Sequence, residues 1–423
     1  MIKRLSCAVL AVAGLLAAPA GASGWAELPP AAAVASFAAD RGDAPLWLRG
    51  GTDGAPVRAL LAALRQAPLD GFAQGPQLAA RVEAALAGAD GSEPTGRLQA
   101  ERLLSSAWVM YVQALHWPGD GLIYADPALV RRIPEPAAIL RDLAAAPSLE
   151  RHVAQVSAVN PIYASLRAAL ARESDGQVRR TLSANLQRAR ALPGSGRFVL
   201  VDLASQQLWM MEDGRAADGM KVVVGKTEMK TPLIAGTLKA ATLNPYWNVP
   251  PDLVRRNIAP AAVRNGPSWL EARGYEVLAD WSADARPVAL DGVDWRAVAD
   301  GRAEVRVRQK PGPGNMMGAA KFEFAKAQGI YLHDTPDKSL FGSPVRFFSS
   351  GCIRLEDAAR LGRWLAGREL AAEGDAPEQA VALPQPVPVY VTYLTARVDG
   401  GRIAMSPDVY GLDGMGERQL ASR

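Results

Sequence analysis

Apolar residues recur at helical spacing through the first part of the chain. Val57, Leu60, Leu61 and Leu64 follow the i, i+3, i+4, i+7 pattern that is typical of one buried helix face. Proline and glycine interrupt the pattern at intervals, which indicates several short helices rather than one long one. The sequence therefore predicts an all-α domain over residues 23–190, and no residue set within it suggests chemistry.

The pattern changes to strands after a glycine-rich linker at residues 191–196. The β-runs 198–201 and 207–211 flank a short turn and predict a hairpin, and further short β-runs follow. We therefore predict an α+β protein, in which the helical domain precedes a β-rich, sandwich-like domain at residues 197–410. Residues 411–423 are predicted to form a tail.

A long irregular stretch interrupts the β-rich part at about residues 250–317. It contains scattered aromatic residues, among them Trp269, Tyr275, Trp281 and Trp295. Long excursions inside compact domains are commonly lids or binding loops. An insertion with its own small helical core fits the sequence equally well.

The first residues read as a secretory signal. Lys3 and Arg4 supply the positive start, residues 8–18 are apolar, and Ala20-Gly21-Ala22 offers small residues for cleavage. The apolar run is too short to be retained as a membrane anchor. We therefore expect a signal peptide at residues 1–22 and a mature protein in the periplasm.

The composition is that of a globular protein, with 49% hydrophobic residues. The formal net charge of +4 falls to about +2 once Lys3 and Arg4 are removed with the signal. So small a charge, without a basic run, does not indicate a nucleic-acid partner.

Cysteine usage draws attention to one residue. Of the two cysteines, Cys7 precedes the apolar stretch of the signal, whereas a lipid-modified cysteine should follow it. Cys352 is then the only cysteine of the mature chain, so an internal disulfide and a thiolate-rich metal site are not expected. A buried cysteine usually acts as a small hydrophobe, but the neighbours of Cys352 suggest a nucleophile.

A histidine precedes this cysteine by nineteen residues. A short β-run ends at His333, and Cys352 follows within the segment Ser349–Arg354. The apolar residues after it repeat at helical spacing and predict a helix: Ala358, Leu361 and Leu365. Histidine can take the proton of a thiol and return it to a leaving amine. Gly351 has no side chain to block the approach of a substrate carbonyl, and the backbone N–H groups of Gly351 and Cys352 could then stabilise the oxyanion. The guanidinium of Arg354 could bind a substrate carboxylate with two parallel hydrogen bonds.

These segments resemble a known signature. Ile330–Pro336 and Phe348–Arg354 look like the catalytic motif of the L,D-transpeptidases (YkuD type). The resemblance extends to the large Gram-negative branch with an N-terminal scaffold domain through four further segments, Asn244–Pro251, Arg306–Gly312, Asn315–Gly318 and Tyr393–Ala396. The helical region resembles the scaffold domain more weakly, around Ala67–Gly71.

The resemblance implies a reaction on peptidoglycan. The family cleaves the bond between diaminopimelate and the terminal D-alanine of a tetrapeptide stem through a cysteine thioester. The acyl group passes to an amine on a second stem and makes a 3→3 crosslink, and carbapenems acylate the same thiol. On this basis Cys352 attacks, His333 moves the proton, and a backbone carbonyl orients the imidazole.

The resemblance also implies which residues line the site and which partners bind. Tyr331, Ser350 and Trp247 fall where the family lines its site, although each fits core packing equally well, and Arg354 would contact the donor stem or stabilise its loop. The partners would be the tetrapeptide donor, the diaminopimelate amine acceptor and cell-wall synthesis proteins. Neither a cofactor nor a metal is implied.

Two departures leave alternatives open. Many members have histidine where Ser350 stands, and only residues 172–185 occupy the place of the usual peptidoglycan-binding module, so wall targeting would need the catalytic groove or a partner. Hydrolysis by the same dyad is one alternative, as a carboxypeptidase or endopeptidase. A non-catalytic cell-wall scaffold protein is the other, since a fold alone does not guarantee activity.

Overall fold

The computed structural model divides into two compact units. It describes residues 24–89, 94–117, 121–282, 284–325 and 329–414. Of these residues, the first unit contains those up to 114 together with 134–156, and the second contains those in 115–133 and those from 157 onward. The predicted signal segment 1–22 and residues 415–423 of the predicted tail lie outside the described residues. Within the described ranges, no helix combines the length and apolar character needed to cross a membrane.

The first unit is helical, as the apolar spacing predicts. Trp47, Trp108 and Tyr111 are fully buried at its centre, with the two tryptophan rings 6.3 Å apart in an edge-on arrangement. The last residues of α4 and α6 pass into the second unit. The helices are α1 (Ala31–Asp40), α2 (Ala55–Gln66), α3 (Gly75–Ala89), α4 (Pro94–His116), α5 (Pro136–Ala145) and α6 (Leu149–Ala158).

In the second unit, the short strand β1 comes first, and two helices then precede the remaining strands. The helices are α7 (Pro161–Arg172) and α8 (Gly176–Ala189). The strands are β1 (Ile123–Tyr124), β2 (Arg197–Asp202), β3 (Gln207–Glu212), β4 (Arg215–Gly225), β5 (Ile234–Leu243), β6 (Trp247–Asn248), β7 (Tyr275–Leu278), β8 (Pro287–Val288), β9 (Arg306–Gln309), β10 (Ala320–Ala325), β11 (Ile330–His333), β12 (Phe347–Ser349), β13 (Ile353–Leu355), β14 (Gln379–Thr392), β15 (Ala396–Asp399) and β16 (Arg402–Met405).

The main sheet closes on itself. Its strands follow the order β5-β10-β11-β13-β4-β3-β2-β14, and β14 pairs with β5 as well, which completes the ring. The predicted β2–β3 hairpin is confirmed. The sandwich-like part of the prediction is wrong, because β14 is 14 residues long and its register shifts between Ala382 and Val387. That strand can therefore pair along both edges and leave a closed barrel-like sheet.

One helix seals the barrel core beside the predicted catalytic segment. The helix α13 (Ala358–Ala366), whose apolar spacing predicted it, buries Leu361 and Leu365 in that core. The Asp357 carboxylate caps it by accepting a hydrogen bond from the Arg360 N–H at 2.8 Å. Gly367, in the left-handed conformation at φ +69°, ends it.

The insertion has a hydrophobic core of its own. Val254, Tyr275, Trp295 and Val307 are buried in it. The strand order β6-β9-β7-β8 forms a second sheet that the sequence did not predict, because these strands are only two to four residues long. Around it lie α9 (Pro251–Leu253), the π-helical turn Val254–Ile258, α10 (Ala259–Asn265), α11 (Pro267–Glu271) and α12 (Trp295–Ala299).

Asn315 ties the insertion to the strands that return to the barrel. Its amide nitrogen donates to the carbonyls of Pro245, Gln309 and Lys310 at 3.0, 3.2 and 2.8 Å. Its amide oxygen accepts from the Met317 N–H at 2.7 Å, and the residue is only 1% exposed. One buried side chain therefore satisfies four backbone groups at the base of the insertion.

We expect Asn315→Ala to destabilise the base of the insertion by about 2–4 kcal/mol, because four backbone groups, three of them in buried hydrogen bonds, lose a partner. Hydrogen exchange of residues 306–318 should speed up accordingly, and the melting temperature should fall. Asn265→Ala is the matched control, since the Asn265 amide is exposed and bonds only within its own helix. Equal effects of the two substitutions would contradict this role of Asn315.

Candidate active site

Two parallel strands place the predicted catalytic residues on one face. In the register of β11 and β13, Leu332 pairs with Ile353 and His333 pairs with Arg354. Leu332 and Ile353 are fully buried in the barrel core. Because side chains alternate along a strand, His333 and Arg354 lie on the opposite face, and Cys352 follows the same alternation one residue before β13. The predicted Cys–His pair is therefore diagonal across two neighbouring strands.

A single hydrogen bond decides which imidazole nitrogen is the base. Nδ1 of His333 lies 2.5 Å from the carbonyl oxygen of Asp334. A carbonyl oxygen can only accept, so Nδ1 carries the proton and the Nε2 lone pair is free. This is the backbone carbonyl partner that the family resemblance implied.

Asp334 is itself held in place, and the sequence analysis missed it. Its carboxylate accepts from the Lys338 ammonium at 2.6 Å and from the Ala319 N–H at 2.9 Å. Gly318 packs against the same carboxylate, where an added Cβ would lie 2.4 Å from Oδ2, and its φ is +62°. An acidic residue directly after the histidine, with lysine four residues later, was the available signal.

The environment of His333 keeps the imidazole neutral. Burial, followed by the positive charge of Arg354, lowers the pKa of His333 from 6.5 to about 4. The hydrogen bond to Asp334 opposes this shift but does not cancel it. At neutral pH the imidazole is therefore an unprotonated base.

The cysteine is a thiol in its resting state. Burial raises the pKa of Cys352, and the backbone of Tyr331 and the charge of Arg354 oppose that rise. The residue is partly exposed, and its sulfur donates to the Gly329 carbonyl at 3.6 Å. A thiol with a raised pKa needs a base at the moment of attack, which is the role that the neutral His333 can fill.

The loop before Cys352 gives one of the two predicted oxyanion donors a partner of its own. The N–H of Gly351 donates to the Ser349 hydroxyl at 3.2 Å, and that hydroxyl donates to the Cys352 carbonyl at 2.5 Å. The Gly351 N–H is therefore engaged within the loop, and the Cys352 N–H is the candidate that is left. Gly351 has a φ of +114°, a backbone conformation that favours glycine, and a Cβ added there would make only ordinary contacts with the protein.

Arg354 presents an underused guanidinium to the site. Its Nε is buried and has no hydrogen-bond partner among the described residues. Burial lowers the pKa of Arg354, and the carboxylate of Asp337 and an ionised Cys352 oppose that shift. A half-buried cationic fork on the same strand face as the thiol suits a substrate carboxylate.

The other three predicted site residues have different surroundings. Tyr331 lies on the same strand face as His333, and its ring is 5.9 Å from the Lys321 ammonium. Ser350 is exposed on the loop before Cys352. Trp247 packs against the insertion core, 6.2 Å from the Tyr275 ring.

The described residues contain no group of three or more histidine, cysteine, aspartate or glutamate side chains that could hold a metal ion. The chemistry that this site itself offers is a thiol, a neutral imidazole and an arginine. These are the parts of acyl transfer by a cysteine nucleophile.

Known proteins resemble the chain in both of its parts. Residues 196–391 match the L,D-transpeptidase catalytic domain (YkuD), and residues 32–170 match the Scaffold domain. A Haemophilus influenzae protein named "Putative L,D-transpeptidase" is 26% identical over 396 residues, which are 90% of this chain and 78% of that protein.

Solved L,D-transpeptidases from Enterococcus faecium and Mycobacterium smegmatis are more distant. Each is 14% identical over 47% of this chain, with TM-scores of 0.23 and 0.22. The chain spans 50% and 59% of the lengths of those structures, and likeness at this level supports no argument. The family matches rest instead on the sequence of both parts. The chain carries an L,D-transpeptidase catalytic domain of the YkuD family, preceded by a scaffold domain.

Proposed function

We propose that this protein is an exported L,D-transpeptidase that forms 3→3 crosslinks between peptidoglycan stem peptides through a thioester on Cys352. The observation that carries the proposal is the hydrogen bond from His333 Nδ1 to the Asp334 carbonyl. It leaves Nε2 unprotonated on the face that also presents Cys352 and Arg354. The membership of residues 196–391 in the catalytic family supports the choice of substrate.

The first half-reaction forms the acyl-enzyme. The Cys352 sulfur attacks the carbonyl of diaminopimelate in a tetrapeptide stem while Nε2 of His333 accepts the thiol proton. The Cys352 N–H stabilises the oxyanion, and Arg354 binds a carboxylate of the donor stem. The C–N bond to D-alanine then breaks, and the imidazolium returns its proton to the leaving amine.

The second half-reaction releases the enzyme. The side-chain amine of diaminopimelate on a second stem attacks the thioester, and His333 takes the proton of that amine. The C–S bond breaks, the new amide is the 3→3 crosslink, and the proton returns to the sulfur of Cys352. Water attacking the same thioester would give a free tripeptide instead, which is the carboxypeptidase alternative.

The insertion borders this site and is proposed to act as its lid. The Arg256 guanidinium contacts the Met229 sulfur at 3.6 Å. The carbonyls of Met229 and Lys230 flank Gly351 at about the distance of van der Waals contact, 3.9 and 4.0 Å from a Cβ placed there. The insertion therefore touches the loop that supports the nucleophile, where it could exclude water and favour transfer over hydrolysis.

The proposed location is the periplasm, on the strength of the positive and apolar start of the sequence. Stem peptides are the proposed substrates, and cell-wall synthesis proteins are proposed partners for the scaffold domain.

Purified protein incubated with disaccharide-tetrapeptide should yield a crosslinked dimer and D-alanine, measured by liquid chromatography and mass spectrometry. Cys352→Ala should abolish both products, and His333→Asn should slow them by roughly 10²–10⁴-fold, the usual contribution of a general base. His152→Asn is the matched control, because that ring packs against Trp108 in the other unit.

The products separate the three hypotheses. Free tripeptide without a dimer would replace transfer by hydrolysis. The non-catalytic scaffold protein would be favoured by two results together. Folded wild-type protein would show no turnover, and Cys352→Ala would still rescue the cell-wall defects of a strain that lacks the protein. A thiol adduct with a carbapenem on the wild type but not on Cys352→Ala would show an activated cysteine independently of the acceptor.

We expect the pKa of His333, about 4 in the wild type, to rise towards 6.5 in Arg354→Met, because the nearby positive charge is removed while burial persists. Imidazole resonances followed by NMR should show this directly, since the sequence has only three histidines. Arg354→Lys keeps the charge and should leave the pKa near 4. An unchanged value in Arg354→Met would mean that burial alone depresses it.

The same pKa has a consequence for stability. The folded-state pKa of His333 lies below the unfolded value of 6.5, so the native state binds fewer protons than the unfolded chain. The corresponding stability is present above pH 6.5 and is lost as the pH falls towards 4. Arg354→Met should reduce this loss, as urea unfolding at pH 7 and pH 4.5 would measure.

A further inference from the structure

The C-terminal segment, residues 406–414, returns to the loop that carries the nucleophile. Its Tyr410 is 3% exposed and stacks on Tyr393, with ring centroids 5.3 Å apart. It also meets the Phe347 ring edge-on at 5.4 Å. The Tyr410 N–H donates to the Tyr393 hydroxyl at 2.9 Å, so both backbone and ring are fixed.

The end of the segment is anchored as well. The Asp413 carboxylate pairs with Arg188 and accepts a hydrogen bond from the Thr395 hydroxyl at 2.7 Å. Both partners are well shielded, with the side chains of Arg188 and Asp413 only 11% and 16% exposed. The segment is therefore held both at Tyr410 and at Asp413 rather than by a single contact.

The Tyr410 hydroxyl lies between two backbone segments beneath the cysteine loop. It donates to the Gly225 carbonyl and accepts from the Thr231 N–H at 3.3 Å. The Lys230 ammonium donates to the Tyr410 carbonyl at 2.6 Å. Gly225 has no room for a side chain, because an added Cβ would lie 2.2 Å from the Met229 carbonyl oxygen.

Thr231 connects the Tyr410 contacts to the loop that carries Cys352. Its hydroxyl accepts from the Gly225 N–H at 2.9 Å and donates to the Gly351 carbonyl at 2.8 Å. A hydroxyl has one hydrogen to donate, and here it goes to Gly351. Thr231 is 2% exposed, so water does not compete for this bond.

The Gly351 carbonyl belongs to the peptide group that carries the Cys352 N–H. A trans peptide is planar, so its C=O and N–H point in opposite directions. Holding the carbonyl on Thr231 therefore fixes the direction of the Cys352 N–H. Gly351 lies in a region of φ that leaves the loop free to rotate once that bond is lost.

We infer that Thr231 and Tyr410 are positioning residues for acylation: they orient the Gly351–Cys352 peptide so that the Cys352 N–H faces the developing oxyanion. The inference rests on the proposed function for its catalytic consequence and on the hydrogen bonds alone for its structural content. Neither residue is placed to touch the substrate, so both would affect the reaction only through the orientation of the Gly351–Cys352 peptide group.

Four variants test the inference. Thr231→Val removes the donor at nearly constant shape, and Thr231→Ser keeps the hydroxyl. Tyr410→Phe removes one hydroxyl and keeps the ring contacts. Tyr390→Phe is the control, since Tyr390 is a buried tyrosine of β14 that packs against Phe198 on another part of the barrel.

The first measurement is structural and needs no turnover. Gly351–Cys352 is the only Gly–Cys pair in the sequence, so labelling glycine carbonyls with ¹³C and cysteine amides with ¹⁵N gives one NMR correlation. Loss of the hydrogen bond should shift the carbonyl upfield in Thr231→Val, with a smaller shift in Tyr410→Phe. Thr231→Ser and Tyr390→Phe should match the wild type.

The second measurement compares two reactions of the same sulfur. Acylation by the tetrapeptide needs an oriented oxyanion donor, whereas alkylation by iodoacetamide does not. We expect Thr231→Val and Tyr410→Phe to lower kcat for acylation by roughly ten- to a hundredfold, with KM and the alkylation rate unchanged. Thr231→Ser should restore kcat.

Each other outcome decides against the inference or against the proposed function separately. An unshifted carbonyl in Thr231→Val would overturn the inference, as would a shifted carbonyl with unchanged kcat. A parallel loss of alkylation and melting temperature, not rescued by serine, would show a merely structural role. If the Gly351 carbonyl resonance shifts in Thr231→Val but the wild type turns over no tetrapeptide, the proposed function is refuted and the orientation of the peptide group is still established.

Discussion

The hydrogen bond from His333 Nδ1 to the Asp334 carbonyl is the interaction on which the site depends. It uses a backbone group that cannot be protonated, so the tautomer does not change with pH as it could beside a carboxylate. Its geometry depends on Asp334, whose carboxylate is held by Lys338 and packed against Gly318. Asn315 in turn fixes the strands that lead to Gly318, so the insertion and the base share one support.

The register between strands of the barrel is the second constraint on the site. Parallel pairing of β11 with β13 sets His333 beside Arg354, and a shift by one residue would turn the Cys352 side chain into the core. Leu332 and Ile353, both fully buried, prevent such a shift by occupying the opposite face. The apolar core thus holds the polar face in place, while the loop before Cys352 satisfies its own N–H and hydroxyl groups internally.

The sequence predicted contacts between residues that are close together in the chain and missed contacts between residues that are far apart in it. The spacing of Leu60, Leu61 and Leu64, like that of the helix after Cys352, reports contacts within one turn and is confirmed. Closure of the barrel depends on β14 meeting strands more than 130 residues earlier in the chain, which no local pattern encodes. The engagement of the Gly351 N–H and the approach of Tyr410 were likewise invisible, because they arise from loop conformation and from a return of the chain across the fold.

On the proposed reaction path, Arg354 couples the binding of a substrate carboxylate to the pKa of His333. Burial, together with the charge of Arg354, lowers the pKa of His333 to about 4, which keeps the base neutral but weak. A substrate carboxylate bound to Arg354 would offset that charge, and the pKa of the imidazole would then rise. The base would become stronger when the donor stem is in place, just as the raised pKa of Cys352 demands a proton acceptor. One arginine would thus confine activation of the thiol to the occupied site.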